Sequence, residues 1–218
     1  MRALVWFRSD LRLDDNPALA QACAAADAGV IAVYAICPQQ WAAHDLGGPK
    51  VAFLLAHVRE LSAALAAKNI ALRIIQTPTF DALPEALLRL ATEHGCDAVY
   101  WNREYEVNER RRDAAVRACF EAADHVVHEF HDQCIVPPDA LRTGQGGFYS
   151  VFTPFKRAWL AYVEKHGPGD VCGAPRKRSR MLGRPSRVPK TVAGYASAEF
   201  DADLWPVGEA AARKRLDR

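Results

Sequence analysis

Residues Tyr105–Asp113, YEVNERRRD, set an amide beside a carboxylate, Asn108 and Glu109, just ahead of three arginines. They follow CDAVYWN, whose β-branched and aromatic residues read as a strand. Two chemistries fit the pair. An amide and a carboxylate together can accept from and donate to the polar edge of a ring. Alternatively Asn108 caps a helix and Glu109 favours its dipole. A second polar cluster, FRSDLRLDDN, carries Arg8, Asp10, Arg12, Asp14 and Asp15. Two cations around a carboxylate at a strand end most simply form an ion-pair lattice that positions a loop, so Arg8, Asp10 and Arg12 are assigned to scaffold.

Other chemistries find little support. No G-x-G-x-x-G follows the first apolar run, and there is no G-x-x-x-x-G-K-[ST]. GQGG at 144–147 lies between turn-like segments and reads as a turn. No Ser/His/Asp or Cys/His arrangement stands out. The six cysteines are scattered without a C-x-x-C, which argues against a zinc site and fits reduced thiols in the cytoplasm. HVVHEFH places three histidines close together, but strand alternation turns His128 away from His125 and His131, so no metal is expected. No run approaches the ~20 apolar residues of a membrane span.

The elements that must position these residues alternate in type. ALVWF, VIAVYAI, ALRIIQ, AVYW and HVVHEF read as five strands. Asn16 can cap a helix opened by Pro17, and Phe53, Leu54, Val58, Leu61 and Leu65 recur at helical spacing. Asp81 is expected to cap a helix closed by Gly95, and Asn108–Ala122 to form another. Strands alternating with helices predict an α/β domain: a doubly wound, five-stranded parallel sheet with helices on both faces, over residues 1–131. In such sheets ligands bind beyond the carboxyl ends of the strands, which directs attention to the loops after the first and fourth. Taken alone, these features describe a small-molecule or nucleotide-binding α/β domain without naming its chemistry.

Charge divides unevenly. Residues 1–150 carry 14 Lys+Arg against 19 Asp+Glu, and residues 151–218 carry 14 against 7. Much of the excess lies in PRKRSRMLGRPSRVPK (175–190), whose Pro, Ser and scarce large apolar residues read as a solvated linker within an irregular connector, 132–200. The connector holds one amphipathic helix, FTPFKRAWLAYVEK. Phosphate attraction to the basic stretch is the alternative. Residues 201–218 begin a further helix near Pro206, and the chain is expected to continue past Arg218.

WFRSDLRLDDNPAL (Trp6–Leu19) resembles the opening signature of the DNA photolyase/cryptochrome family. PQQWAAH (38–44), YEVNERRRD, VFTPFKRAWL (151–160) and FDADLWPV are similar to family segments in the same order. The match is strongest to bacterial class I cyclobutane pyrimidine dimer photolyases. That resemblance implies a Rossmann-like antenna domain, followed by the start of an all-helical FAD domain missing here. It implies blue-light-driven electron transfer from reduced FAD to pyrimidine dimers in UV-damaged DNA, by a protein expected to be a monomer. It also implies that His44, Asn108 and Glu109 hold a methenyltetrahydrofolate antenna, that no catalytic residue lies in this chain, and that the chain alone is inactive. A cryptochrome-type light sensor and a free-standing nucleotide-binding module are the competing readings.

Overall fold

The computed structural model describes residues 1–195 and 199–217; the end of the expected connector, 196–198, and Arg218 lie outside the described residues. Five strands form one parallel sheet: β1 (Arg2–Phe7), β2 (Gly29–Ile36), β3 (Ala71–Gln76), β4 (Ala98–Asn102) and β5 (Val126–Phe130). Their order is β3-β2-β1-β4-β5. Sequence order therefore reverses at β1, and the gap between the β1 and β4 ends is the switch point.

Each strand alternates faces, and both faces are covered, which explains apolar runs without a polar side. Val5 and Phe7 point to one face, packing with Leu19 and Ala22 of α1 (Pro17–Ala25) and with Leu55, Val58 and Leu65 of α3 (Gly48–Ala67). Leu4 and Trp6 point to the other, against Leu87 of α4 (Leu83–Glu93) and Val116 and Phe120 of α5 (Val107–Glu121). The expected doubly wound domain is thus present.

Local differences have physical causes. A short helix, α2 (Pro38–Ala43), follows β2, opened by Pro38 in the first turn. Asp81 does not cap α4; it lies in a 3-10 turn, Phe80–Ala82, that leads directly into the helix, with Ala82 at the cap. Asn108 is likewise no cap, because α5 starts one residue before it and Glu106 occupies that position. Asn16 does cap α1, its Oδ1 accepting from Leu19 N at 3.0 Å. The three strand-end histidines have separate partners: His128 stacks on Tyr100, Tyr105 Oη lies 2.7 Å from His131 Nδ1, and His125 Nδ1 lies 2.9 Å from the Ala123 carbonyl.

Beyond the sheet, α6 (Phe152–His166) buries none of its residues and leaves Phe152 and Leu160 exposed. The basic segment 175–190 is not solvated along its length. Arg178 N donates to Lys68 O at 2.9 Å and Ser186 N to Leu72 O at 2.8 Å, while Val188 and Val192 are buried in the core. The Arg178 guanidinium donates to the carbonyls of Cys23 and Ala26, at the carboxyl end of α1, where a cation also suits the helix dipole. This segment is a strap on the domain. The final helix, α7 (Glu209–Leu216), starts after Gly208, later than Pro206 had indicated. No helix among the described residues is long and apolar enough to cross a membrane.

Candidate functional site

The loop after β1 is locked from several sides. Asp10 accepts from its own loop through Arg8 N (2.8 Å), and from Asn16 Nδ2 (3.1 Å) and Asn102 Nδ2 (2.6 Å). Asn102, at the end of β4, returns an acceptor to Ala18 N at 3.1 Å. One carboxylate and two asparagines thereby join β1, α1 and β4. The cost of burying them is offset because nearly every polar atom finds a partner.

A second buried lattice lies beside it. Arg112 donates to Glu104 Oε2 at 2.8 Å and to Asp113 Oδ1 at 2.7 Å, and Arg8 reaches Asp113 Oδ1 at 3.3 Å. Both guanidiniums stack on Trp6, 4.3 Å and 4.8 Å from its ring centroid. Burial opposes ionisation of Glu104, but Arg8, Arg112 and the Ser9 hydroxyl outweigh it and hold the carboxyl below its usual range. Burial pulls the Arg8 guanidinium down despite the carboxylates around it. Arg12 lies farther out, paired at two points with Asp132 (3.1 and 2.5 Å). Arg8, Asp10 and Arg12 are each held in a lattice that positions the loop, and Arg8 and Arg12 also line the cleft above it.

Above this floor, at the carboxyl ends of β1 and β2, opens a cleft of about 740 Å³. Trp6, Arg8 and Tyr34 form its base; Trp41 and His44 come from α2 and its end, and Lys50, Phe53 and His57 from α3. Glu109 and Arg112 of α5 also line it. The helix α7 closes part of the rim through Gly208, Glu209 and Ala212. Glu209 Oε2 accepts from Leu13 N at 2.8 Å, Arg213 pairs with Asp14, and Gly208 N lies 3.4 Å from His57 Nδ1.

The three residues singled out from the sequence converge here. His44 and Glu109 line the cleft, and Asn108 Nδ2 lies 3.3 Å from His44 Nε2, which Gln40 Nε2 also approaches at 2.8 Å. Both amide nitrogens can only donate, so Nε2 is the acceptor. The sequence reading missed Trp41, Phe53, His57, Glu104 and Arg112. Phe53 and His57, four apart on α3 and 4.3 Å between ring centroids, carried a usable signal as one helical face. Burial lowers the His57 pKa against the pull of Glu60, and its Nε2 is buried without a partner among the described residues.

Aromatic walls with a carboxylate, an amide and an imidazole at one rim suit a flat heterocycle with polar edges. Covalent chemistry is poorly served. Burial pushes the Cys37 thiol in the cleft upward against the Thr77 hydrogen bond, and pushes Cys23 and Cys96 up to about 11.

Comparison with known proteins agrees with this architecture. The family model described as DNA photolyase matches residues 3–172. The chain is 40% identical over 214 residues to the deoxyribodipyrimidine photo-lyase of Salmonella typhimurium, covering 98% of this chain and 44% of that protein. It aligns with the crystal structure of a class III photolyase from Agrobacterium tumefaciens at TM-score 0.78 and 27% identity, covering 99% of this chain and 44% of the other. A Synechocystis cryptochrome gives TM-score 0.76 at 20% identity, covering 99% and 45%, a likeness of fold. The chain spans less than half the length of the curated photo-lyases it matches from Salmonella typhimurium and Escherichia coli. With 170 consecutive residues accounted for by one family model, the chain belongs to the DNA photolyase family.

Proposed function

We propose that this chain is the light-harvesting portion of a deoxyribodipyrimidine photo-lyase, residues 1–131 forming the antenna domain, 132–200 a connector and 201–218 the start of a helical FAD domain. The observation that carries this reading is the meeting of His44, Asn108 and Glu109 at the rim of an aromatic cleft beyond the strand ends. Methenyltetrahydrofolate fits that donor set. Its pterin edge offers N–H donors beside a carbonyl, matching a carboxylate acceptor next to an amide. A volume of about 740 Å³ lies within the ordinary range for small-molecule sites.

In this reading the bound pterin supplies near-UV absorption. The chain's own residues bind and orient it: Glu109 accepts at the ring edge, Asn108 and His44 fix its rotation, and Trp41 and Phe53 supply flat apolar contacts. The buried Arg8–Arg112–Glu104–Asp113 lattice keeps the floor rigid beneath it. Dimer splitting is assigned to reduced FAD in a region outside this chain, acting on UV-damaged DNA.

The full-length protein, purified with its antenna, tests the reading. It is expected to split cyclobutane dimers only under light and to lose its near-UV antenna band in Glu109→Ala. Undiminished antenna absorption in that variant would remove Glu109 from the site. Absence of light-dependent splitting would favour a cryptochrome-type sensor.

A further inference from the structure

The strap has a second face that the antenna cleft does not use. Between Asp170 and Glu199 the chain has no acidic residue, and Arg176, Lys177, Arg180, Arg184, Arg187 and Lys190 are all exposed. None of these six side chains forms an ion pair among the described residues. Attraction to the acidic α/β portion is therefore not what holds the strap down.

What holds it is apolar packing and hydrogen bonds that each involve a main-chain group. Ser186 N donates to Leu72 O, Arg73 Nη1 donates to Arg184 O at 3.0 Å, and Asn69 Nδ2 donates to Arg178 O at 2.6 Å. Leu182 packs against Gly29, and Val188 and Val192 enter the core. One cation, Arg178, turns inward to the end of α1. The other six stay in water on a backbone that is already fixed, so aligning them with a partner costs little further ordering.

We infer that the outer face of this strap is a second nucleic-acid contact, gripping the sugar–phosphate backbone of duplex DNA without reading its sequence. Unpaired cations close together on an anchored segment neutralise phosphates and release their counterions. An anionic membrane is the poorer partner, because the apolar residues that would insert into lipid face the domain instead. The choice of DNA rests on the proposed repair function. None of the six residues lines the antenna cleft.

Binding of the full-length protein to a short undamaged duplex, followed as log K against log salt, tests this. Each phosphate contact contributes about 0.9 to the slope. Replacing all six residues by Gln is expected to make the slope shallower by about 3–5 and to weaken binding at least tenfold at about 0.1 M salt. The R184E/R187E pair is expected to lose at least half of that slope change. Neutralising the exposed Lys156, Arg157 and Lys165 of α6 serves as the control and should leave the slope unchanged. An unchanged slope in the strap variants, or an equal loss per charge in the control, overturns the inference. So does loss of binding to phosphatidylserine vesicles with DNA binding intact. Dimer splitting at saturating damaged DNA should persist in the strap variants. If the unaltered protein splits no dimers, the repair reading falls, while the salt slope still reports on the strap.

Discussion

His44 and Asn108, 64 residues apart in the chain, meet at the rim of the cleft with 3.3 Å between Nε2 and Nδ2. His44 ends α2 and Asn108 lies in the first turn of α5, so the contact spans the switch point of the sheet. Residues that share a partner in this way respond together. His44→Ala and Asn108→Ala should each weaken methenyltetrahydrofolate binding to the full-length protein. The double variant should depart from additivity by about 0.5–3 kcal/mol. A titration of antenna absorbance for the four proteins measures this, and strict additivity would mean that the two act separately.

Glu109→Gln keeps the shape and removes the charge. A hydrogen bond to a charged group contributes about 1.5–3 kcal/mol, so chromophore affinity should fall roughly 10- to 150-fold with little change in thermal stability. Equal affinity for the two proteins would show that Glu109 acts only on the helix dipole.

Glu104→Ala should be far more damaging to the fold than to any exposed site. It leaves Arg112, buried and 2.8 Å from the lost carboxylate, with only Asp113 as its ionic partner. Breaking a buried pair by removing one partner costs about 3–5 kcal/mol, and urea unfolding should register a loss of that size.

The same carboxylate predicts acid sensitivity. Its folded pKa is held below the ordinary value by Arg8 and Arg112, against the effect of burial. The unfolded chain therefore binds a proton first as pH falls, and stability that is full above the ordinary carboxylate range is lost as pH drops through the folded value. Urea midpoints measured from neutral to acid pH should decline in that window, and Glu104→Gln should flatten the decline.

Gly29→Ala tests the junction of sheet and strap. Gly29 has φ +128°, and a Cβ there would lie 2.5 Å from Leu182 Cδ1. The strained backbone alone costs roughly 1–3 kcal/mol. Adding Leu182→Ala should relieve the clash but not the backbone strain, so the double variant should be less destabilised than the sum of the singles. Full additivity in thermal unfolding would exclude the steric contact.

Much of this was legible in residue order. The five strands appear as apolar runs because a parallel sheet is covered on both faces, and Asn16–Pro17 announces α1 by local chemistry alone. His44, Asn108 and Glu109 were reached by resemblance, and the fold brings them to one rim. Asp81 and Asn108 misled as caps because α4 is entered from a 3-10 turn that already holds Asp81, and α5 starts one residue before Asn108, from an extended Glu106. The strap was hidden because its main-chain hydrogen bonds to Lys68 and Leu72 leave no trace in composition, and its Pro, Ser and Arg content mimics a solvated linker. Glu104 and Arg112 were hidden among many charged neighbours, since only the fold decides which ones are buried.

The tie between Leu13 and Glu209 joins residues 196 positions apart. On the ribosome, the strands through Phe130 can pair while roughly 80 further residues are still to be translated. During that interval the nascent chain carries a finished sheet whose niche lacks one side, and a ligand arriving early meets a shallower shelf. Completion of the rim is thereby timed to the emergence of Glu209 and its neighbours.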